Sequence, residues 1–365
     1  MSIASRLYEV CKDSYVYNFS SLPPNQLILF VTSLCNFACE TCFYWEKLND
    51  TRNDLTFEEL EKISSHFNEI KLLLLTGGEP YLRKNFFEIV KLFYDNNKVR
   101  KLHLPTNGYA TKKIILDTKR MLTELPELKI NIGISIDALG EKHDIISKKE
   151  KAFDKAIETQ RSLVKLENDY KNLRTQFYTV VSNDNIKEVD KLFSFIANEF
   201  GYEKIGFSPL RGDPAEPSLA EPTSDEWNEI FKMYKKYSGI NFSGKSKIKQ
   251  FFINRKINFI KKINYEVMLE KGSKKVGKAF NGNGNKNFGP VKCSAGNNIC
   301  VIDADGAVRV CELKQPIANL RDYNYDITKI LKTKQIHTCT CTHACFQNAS
   351  IDISPTNYLR QFLSV

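Results

Sequence analysis

The sequence predicts an α/β protein built on a parallel sheet, and three observations carry that prediction. Six apolar segments alternate with helical patterns between residues 25 and 215. Each of these segments runs straight into a short polar stretch rich in Gly, Asn, Asp or Cys. Nine of the ten cysteines gather in two groups, near residue 40 and beyond residue 290, with Cys11 alone, rather than scattering through the core. Strands joined by helices through right-handed crossovers make either a doubly wound sheet or a barrel-like arrangement. Both remain open at this point.

In chain order, residues 1–24 read as a helical or irregular lead-in ending at Pro23-Pro24. Leu27–Thr32 is expected as the first strand. Phe57–Phe67 carries helical periodicity opened by the N-cap Thr56. Lys71–Leu75 is a continuous apolar run, as expected of a strand buried on both faces. A helix over 85–96, strand Arg100–Leu104, helix 111–124 and strand Lys129–Ile136 follow. Helix 151–168, strand Thr175–Val181, helix 186–200 and strand Lys204–Ser208 complete the series, and 25–215 reads as one domain. Residues 216–290 break the rhythm, with helical patterns at 224–237 and 246–270 and then a Gly/Asn/Lys loop. They read as a basic connector or lid. Residues 291–350 form a smaller cysteine-rich unit, followed by a tail over 351–365. Asn298–Val301 and Ala307–Val310 alternate like two short strands around the turn Asp303–Gly306. One helix is expected within 312–336.

Charge and composition narrow the classes. No stretch is apolar enough to span a membrane, and the start lacks a secretory apolar region, so a cytoplasmic protein is expected. In that compartment grouped cysteines are metal ligands rather than disulfides. Of the net charge of +10, much sits in 216–290, with fifteen Lys and Arg against seven Asp and Glu. That segment reads as a solvated lysine-rich surface rather than a nucleic-acid footprint, although it can also steer an anionic partner.

The chemistry starts from Cys35, Cys39 and Cys42, spaced C-x3-C-x2-C directly after the first strand. Thiolates so close together are ligands for zinc or an iron–sulfur cluster. A structural zinc wants four ligands and a closed shell. Three cysteines suggest a centre with one position open. The later strands end in Gly77-Gly78-Glu79-Pro80, Thr106-Asn107-Gly108, Ser135-Ile136-Asp137, Ser182-Asn183-Asp184 and Leu210-Arg211-Gly212. In parallel α/β architectures strand C-termini are where active sites collect.

These motifs together resemble the radical S-adenosylmethionine (SAM) enzymes. The cysteine triplet matches the family signature, Gly77–Pro80 its G-G-E-P motif, Thr106–Gly108 its third-strand motif and Ser135/Asp137 its fourth-strand S-x-D. The resemblance covers residues 25–215 and implies a partial (β/α)6 TIM-like barrel. It further implies a [4Fe–4S] cluster on the three cysteines, with SAM on the fourth iron. One-electron cleavage of SAM would then yield a 5′-deoxyadenosyl radical that abstracts a substrate hydrogen atom. Glu79 would accept the methionine ammonium, and Ser135 and Asp137 would bind the ribose. Gly77 and Gly78 would let the backbone approach the ligand. Phe43 or Tyr44 would pack on the adenine. Pro80, Asn107 and Ser182 belong to the same rim, and Arg211 would bind a carboxylate. The residue before the third cysteine is Thr41, where the family usually has an aromatic.

The C-terminal cysteines resemble the SPASM or shorter twitch extension of the same superfamily, a hairpin plus helix around an auxiliary cluster. One auxiliary [4Fe–4S] cluster is expected, on Cys293, Cys311, Cys341 and Cys345, with Cys339 as substitute ligand. Zinc is the competing reading, and His343 lies among these residues. An auxiliary cluster that accepts an electron would make the reaction an oxidation. Hydrogen return by a thiol, with Cys300 or Cys339 as candidates, would make it an epimerisation. Cys300 also reads as core. The expected partners are a small anionic metabolite, sugar or peptide as substrate, and a flavodoxin or ferredoxin as electron donor. About 25 residues precede the first strand, too few for a winged-helix peptide-binding domain, which favours a small molecule. A non-catalytic cluster or zinc protein is the competing class.

Overall fold

The computed structural model describes residues 8, 10–12, 14–15, 22–238 and 294–331. The expectations placed on 239–293 and 332–365 lie outside the described residues. They include helix 246–270, Cys293, Cys339, Cys341, His343 and Cys345.

All six expected strands form, within two residues of their sequence limits: β1 Gln26–Phe30, β2 Leu72–Thr76, β3 Lys101–Thr106, β4 Lys129–Ser135, β5 Leu173–Val181 and β6 Ile205–Pro209. Between them stand α1 Phe57–Ser65, α2 Phe86–Asn96, α3 Thr111–Glu124, α4 Glu141–Ser147, α5 Ala152–Asp169 and α6 Val189–Phe200, with α7 Ser224–Ser238 after β6. Thr56 caps α1 as expected. Its hydroxyl accepts from the Glu59 amide while Glu59 reaches back to the Thr56 amide, a complete capping box.

Strands β1 to β6 pair in parallel and in sequential order. Sequential order with right-handed crossovers places every helix on the same side. Accordingly Leu27 and Leu29 of β1, Ile130, Ile132 and Ile134 of β4, and Phe177 of β5 pack with the apolar residues of α1–α3 and α5–α7 in one core. The alternate strand residues face a lumen instead. This decides for the partial barrel over the doubly wound sheet. It also corrects the reading of β2 as buried on both faces. Leu73 and Leu75 are fully buried, whereas Leu72 and Leu74 point to the lumen and are only half-buried.

Three local differences follow from short-range geometry. A separate α4, which the sequence pattern does not predict, precedes α5, and Lys148 and Lys151 between the two adopt positive φ. Residues Ile186–Glu188 are a 3-10 turn leading into α6 rather than its first turn. In the described part of 312–336 the expected helix is the short α8 Ile327–Ile330, preceded by a short strand that the pattern does not predict, β9 Ala318–Asn319, and a 3-10 turn Leu320–Tyr323.

The C-terminal hairpin, β7 Ile299–Ile302 and β8 Ala307–Arg309, does not stand apart from the barrel. Strand β7 pairs in parallel with β1, with Leu27 opposite Cys300, so the sheet continues to nine strands. Two ion-pair groups fasten it. Asp303, in the expected turn, accepts from Lys47 Nζ at 2.8 Å and Arg309 Nε at 2.7 Å. Glu59 accepts from Arg321 Nε at 2.7 Å and Nη2 at 3.0 Å, and from the Tyr325 hydroxyl at 2.9 Å.

The Arg321 hydrogen bonds chiefly hold the Glu59 carboxyl at about 2, against an ordinary 4.5. A depressed folded-state value adds stability that is present above 4.5 and is lost as pH falls toward 2. The melting-point gap between wild type and Glu59→Gln in cluster-free protein is therefore expected to close across that window. A gap unchanged from pH 5 to pH 2 would refute the assignment.

Candidate cofactor site

The segment carrying Cys35, Cys39 and Cys42 leaves β1 and is pinned by its backbone from several sides. Asn49 Oδ1 accepts the Cys35 amide at 2.9 Å, and Asp54 Oδ2 accepts the Ser33 amide at 2.9 Å. The amides of Ala38 and Glu40 donate to the carbonyls of Ser147 and Ile146 at the end of α4. On the far side, the amides of Ala215 and Glu216 donate to the carbonyls of Cys42 and Glu40. Asn107 Nδ2 donates to Asn36 Oδ1 at 2.8 Å, and Tyr109 meets Phe37 edge-on at 5.6 Å between centroids. Strand-end segments thus hold the loop before any ligand arrives.

The two glycines of Gly77–Pro80 also serve this purpose. What they approach closely is the cysteine loop itself. The Gly78 and Glu79 amides donate to the Thr32 and Leu34 carbonyls at 2.9 and 2.8 Å. A Cβ at Gly77 would stand 2.2 Å from the Thr32 carbonyl oxygen, and one at Gly78 2.3 Å from that of Leu34. Pro80 opens the 3-10 turn Pro80–Leu82. Glu79 is buried beneath, with Oε1 accepting from Thr106 Oγ1 at 2.9 Å and from the Tyr81 amide at 3.2 Å. Its Oε2 accepts from the Asn107 amide at 2.7 Å. Burial pushes its carboxyl up to about 7 against these donors. A carboxylate has about four lone-pair sites, so a further cationic donor can be accommodated.

Asp137 is likewise buried and pushed up to about 7, by burial, with Oδ1 accepting from the Val180 amide at 2.7 Å. Its backbone is clamped as well. The Asp137 amide donates to His143 Nδ1 at 3.2 Å, and Asn185 Nδ2 donates to the Asp137 carbonyl at 2.9 Å. Asn185 also ties the Val180 carbonyl and the Ser182 amide, so Ser182 is a buried turn residue. Ser135 lies half-buried on the lumen face. Sequence reading missed Asn49, Asp54, His143 and Asn185. Their signal was weak, because Asn and Asp in loops are common and their partners are far away in sequence.

Three other expected residues fall elsewhere. Tyr44 is buried, meets Phe30 at 4.6 Å between centroids, and packs with Ile28, Val301 and Cys311 rather than lining an opening. It cannot pack on adenine, which leaves Phe43, itself close to Gly212. Arg211 Nη1 lies 4.0 Å from Glu312 Oε2. Its carboxylate neighbour is thus within the chain, and a role for Arg211 toward a bound carboxylate is an expectation only. Cys300 is fully buried on the helix side of the sheet, with its thiol pushed up by burial to about 12. Strand alternation turns it away from the lumen, so it is a core residue and not a hydrogen donor.

The three cysteines are free thiols raised by burial, most strongly Cys39, on which Asp137, Cys35 and Cys42 also act. Among the described residues no three His, Cys, Asp or Glu side chains converge as the ligands of a single ion would. A cubane takes one thiolate at each iron and needs no such convergence, so the donor set fits a [4Fe–4S] cluster. Cys311 is also buried, in the same packed group that Cys42 and Phe43 lean on.

A one-sided partial barrel that presents three thiols and a buried Glu79 at its rim defines a cluster-binding protein of the cofactor-cleaving kind. Residues 29–196 match the family model of the Radical SAM superfamily, and this barrel is a radical SAM domain. Such domains use a [4Fe–4S] cluster and SAM. The chain is 28% identical over 216 residues to the uncharacterized protein MJ0907 of Methanocaldococcus jannaschii, covering 58% of this chain and 71% of that protein. It is 28% identical over 204 residues to the GTP 3′,8-cyclase of Haemophilus influenzae, covering 53% of each. The chain thus spans about half the length of that cyclase. Among solved structures, anSMEcpe with bound AdoMet and Cp18Cys peptide superposes with a TM-score of 0.53 at 18% identity, covering 86% of this chain and 84% of that one. Streptococcus suis SuiB bound to S-adenosylmethionine gives 0.55 at 14%, covering 84% and 65%. At these identities the likeness is one of fold. Among the described residues no helix is long and apolar enough to cross a membrane.

Proposed function

We propose that this chain is a radical SAM oxidoreductase of dehydrogenase type, with a second [4Fe–4S] cluster held by Cys311 together with Cys293, Cys341 and Cys345, or with Cys339 in place of one. The observation that carries this reading is the burial of Cys311 in the same packed group as Tyr44, against Cys42. When bound, the first cluster and SAM supply one-electron cleavage of the sulfonium and abstraction of a substrate hydrogen atom. The chain's own contribution is orientation and exclusion of solvent. Cys35, Cys39 and Cys42 hold the cluster, Glu79 receives the ammonium group, and Asp137, fixed by Asn185 and His143, receives ribose hydroxyls. The substrate would give up a hydrogen atom to the 5′-deoxyadenosyl radical, then an electron to the second cluster and a proton to solvent. A flavodoxin- or ferredoxin-like donor replaces the electron that each cleavage consumes. Epimerisation is less well supported, because Cys300 faces away from the lumen.

Two substrate readings rest on different observations. The basic 216–290 segment and the likeness to a GTP cyclase favour a small anionic metabolite or sugar. The likeness in fold to anSMEcpe with its Cp18Cys peptide and to SuiB favours a peptide. The test of the second cluster is iron content. Anaerobically reconstituted wild type is expected to hold about eight irons per chain and Cys311→Ala about four. About four in both would sink the second cluster.

A further inference from the structure

Apart from Ser135, the lumen face of β4–β6 carries side chains that the cofactor reading does not use. Across β4 and β5, Asn131 stands opposite Arg174, Gly133 opposite Gln176 and Ser135 opposite Tyr178, while Tyr178 stands opposite Gly206 of β6. These positions alternate with Ile130, Ile132 and Phe177, which lie under the helices, so they face the lumen. The Tyr178 ring is fitted against both glycines. A Cβ at Gly133 would meet its Cδ2 at 3.3 Å, and one at Gly206 would meet Cδ2 and Cε2 at 3.1 Å. The ring is nevertheless 37% exposed. Two glycines therefore leave room for a flat apolar surface that is presented to the lumen rather than buried.

On the same face, Asn131 and Gln176 are half-buried, and their side chains form no hydrogen bond among the described residues. Half-buried carboxamides gain from a partner that both donates and accepts. On β3–β5 the lumen-facing charges stand only at the strand starts, at Lys101, Lys129 and Arg174. His103, opposite Asn131, is pushed down to about 4 by burial and is neutral at pH 7. An anion on the Tyr178 ring would stand two lumen-facing positions from Arg174, whose guanidinium lies 3.6 Å from Glu167. A neutral group with a flat face would meet an aromatic surface and two carboxamides.

We propose that Tyr178, Gln176 and Asn131 form a substrate subsite in the lumen, and that it takes an uncharged amide, laid on the Tyr178 ring and hydrogen-bonded by the two carboxamides. This deepens the enzyme reading and rests on it only for the claim that the bound group is substrate. It favours an amide-bearing substrate such as a peptide over an anionic metabolite.

The test titrates N-acetylglycinamide, as amide probe, and inorganic phosphate, as anion probe, against the reconstituted full chain by ligand-observed NMR. Wild type, Tyr178→Ala, Tyr178→Phe and Gln176→Leu are compared, and substrate-independent SAM cleavage is measured on the same samples. Amide binding is expected to weaken by about tenfold or more in Tyr178→Ala and Gln176→Leu and to stay within about twofold in Tyr178→Phe, with SAM cleavage retained in all. Equal amide affinity in all four proteins, no amide binding by the wild type, or displacement of the amide by phosphate would overturn the subsite. A wild type that binds the amide but does not cleave SAM would sink the enzyme reading and leave the subsite standing.

Discussion

Replacing Cys39 by alanine is expected to reduce SAM cleavage under dithionite to the level of a protein-free control. The wild type is expected to release 5′-deoxyadenosine and methionine. Cys39 is the most deeply buried of the three thiols, and burial raises it well above the ordinary range, with Asp137, Cys35 and Cys42 adding to the effect. Such a thiol ionises only when a metal takes the proton's place, so its burial is productive in the loaded protein alone. The substitution leaves the loop's framework intact, because Ala38 and Glu40 are tied to α4 through backbone groups, not through the sulfur. The variant should therefore keep the wild-type circular dichroism and the iron of the second cluster, about four per chain. Cleavage by Cys39→Ala at the wild-type rate would refute the assignment. So would its complete loss of iron, which would mean that the two centres do not load independently.

Gly78→Ala is expected to be among the most damaging single-atom additions in the barrel. The new Cβ would lie 2.3 Å from the Leu34 carbonyl oxygen, 2.6 Å from its carbon and 2.8 Å from the Ser33 carbonyl oxygen. All three are backbone atoms, so no side chain can swing aside. Relief requires moving either β2 or the lead-in to Cys35, and the hydrogen bonds from Gly78 and Glu79 to Thr32 and Leu34 would be lost with that movement. Overpacking of this kind costs about 3 kcal/mol or more. In a barrel of this size that corresponds to a melting point lower by roughly 6–12 °C. Because Leu34 adjoins Cys35, cluster loading should fall in step. A Gly78→Ala protein with wild-type melting point and iron content would show that these carbonyls do not fix the glycine.

Much of the barrel was legible because its signals are local. Apolar runs and the helices between them depend on neighbours a few residues apart, and all six strands formed where their runs lie. The same holds for the Thr56 capping box and the turn at Asp303–Gly306, where the Gly306 amide donates to the Asp303 carbonyl at 3.0 Å. The less legible parts were those where local pattern is ambiguous. In α4 the seven residues are too few to display a period. In β2 an all-leucine run conceals which side faces the lumen.

By itself, then, the sequence determined the alternation of strands and helices, the C-x3-C-x2-C spacing and the polar segment at each strand end. Only the tertiary structure decided that the helices share one face and leave a lumen, and that β7 joins β1. It alone set Tyr44 inside the packing and Cys300 on the helix side of the sheet, and turned Gly77 and Gly78 toward the cysteine loop. The reason is distance along the chain. Leu27 meets Cys300, Asn36 meets Asn107 and Cys42 is packed near Cys311 through pairings that no local period encodes. The residue types that do the chemistry are written in short motifs, whereas the surfaces they face are set by which strands become neighbours.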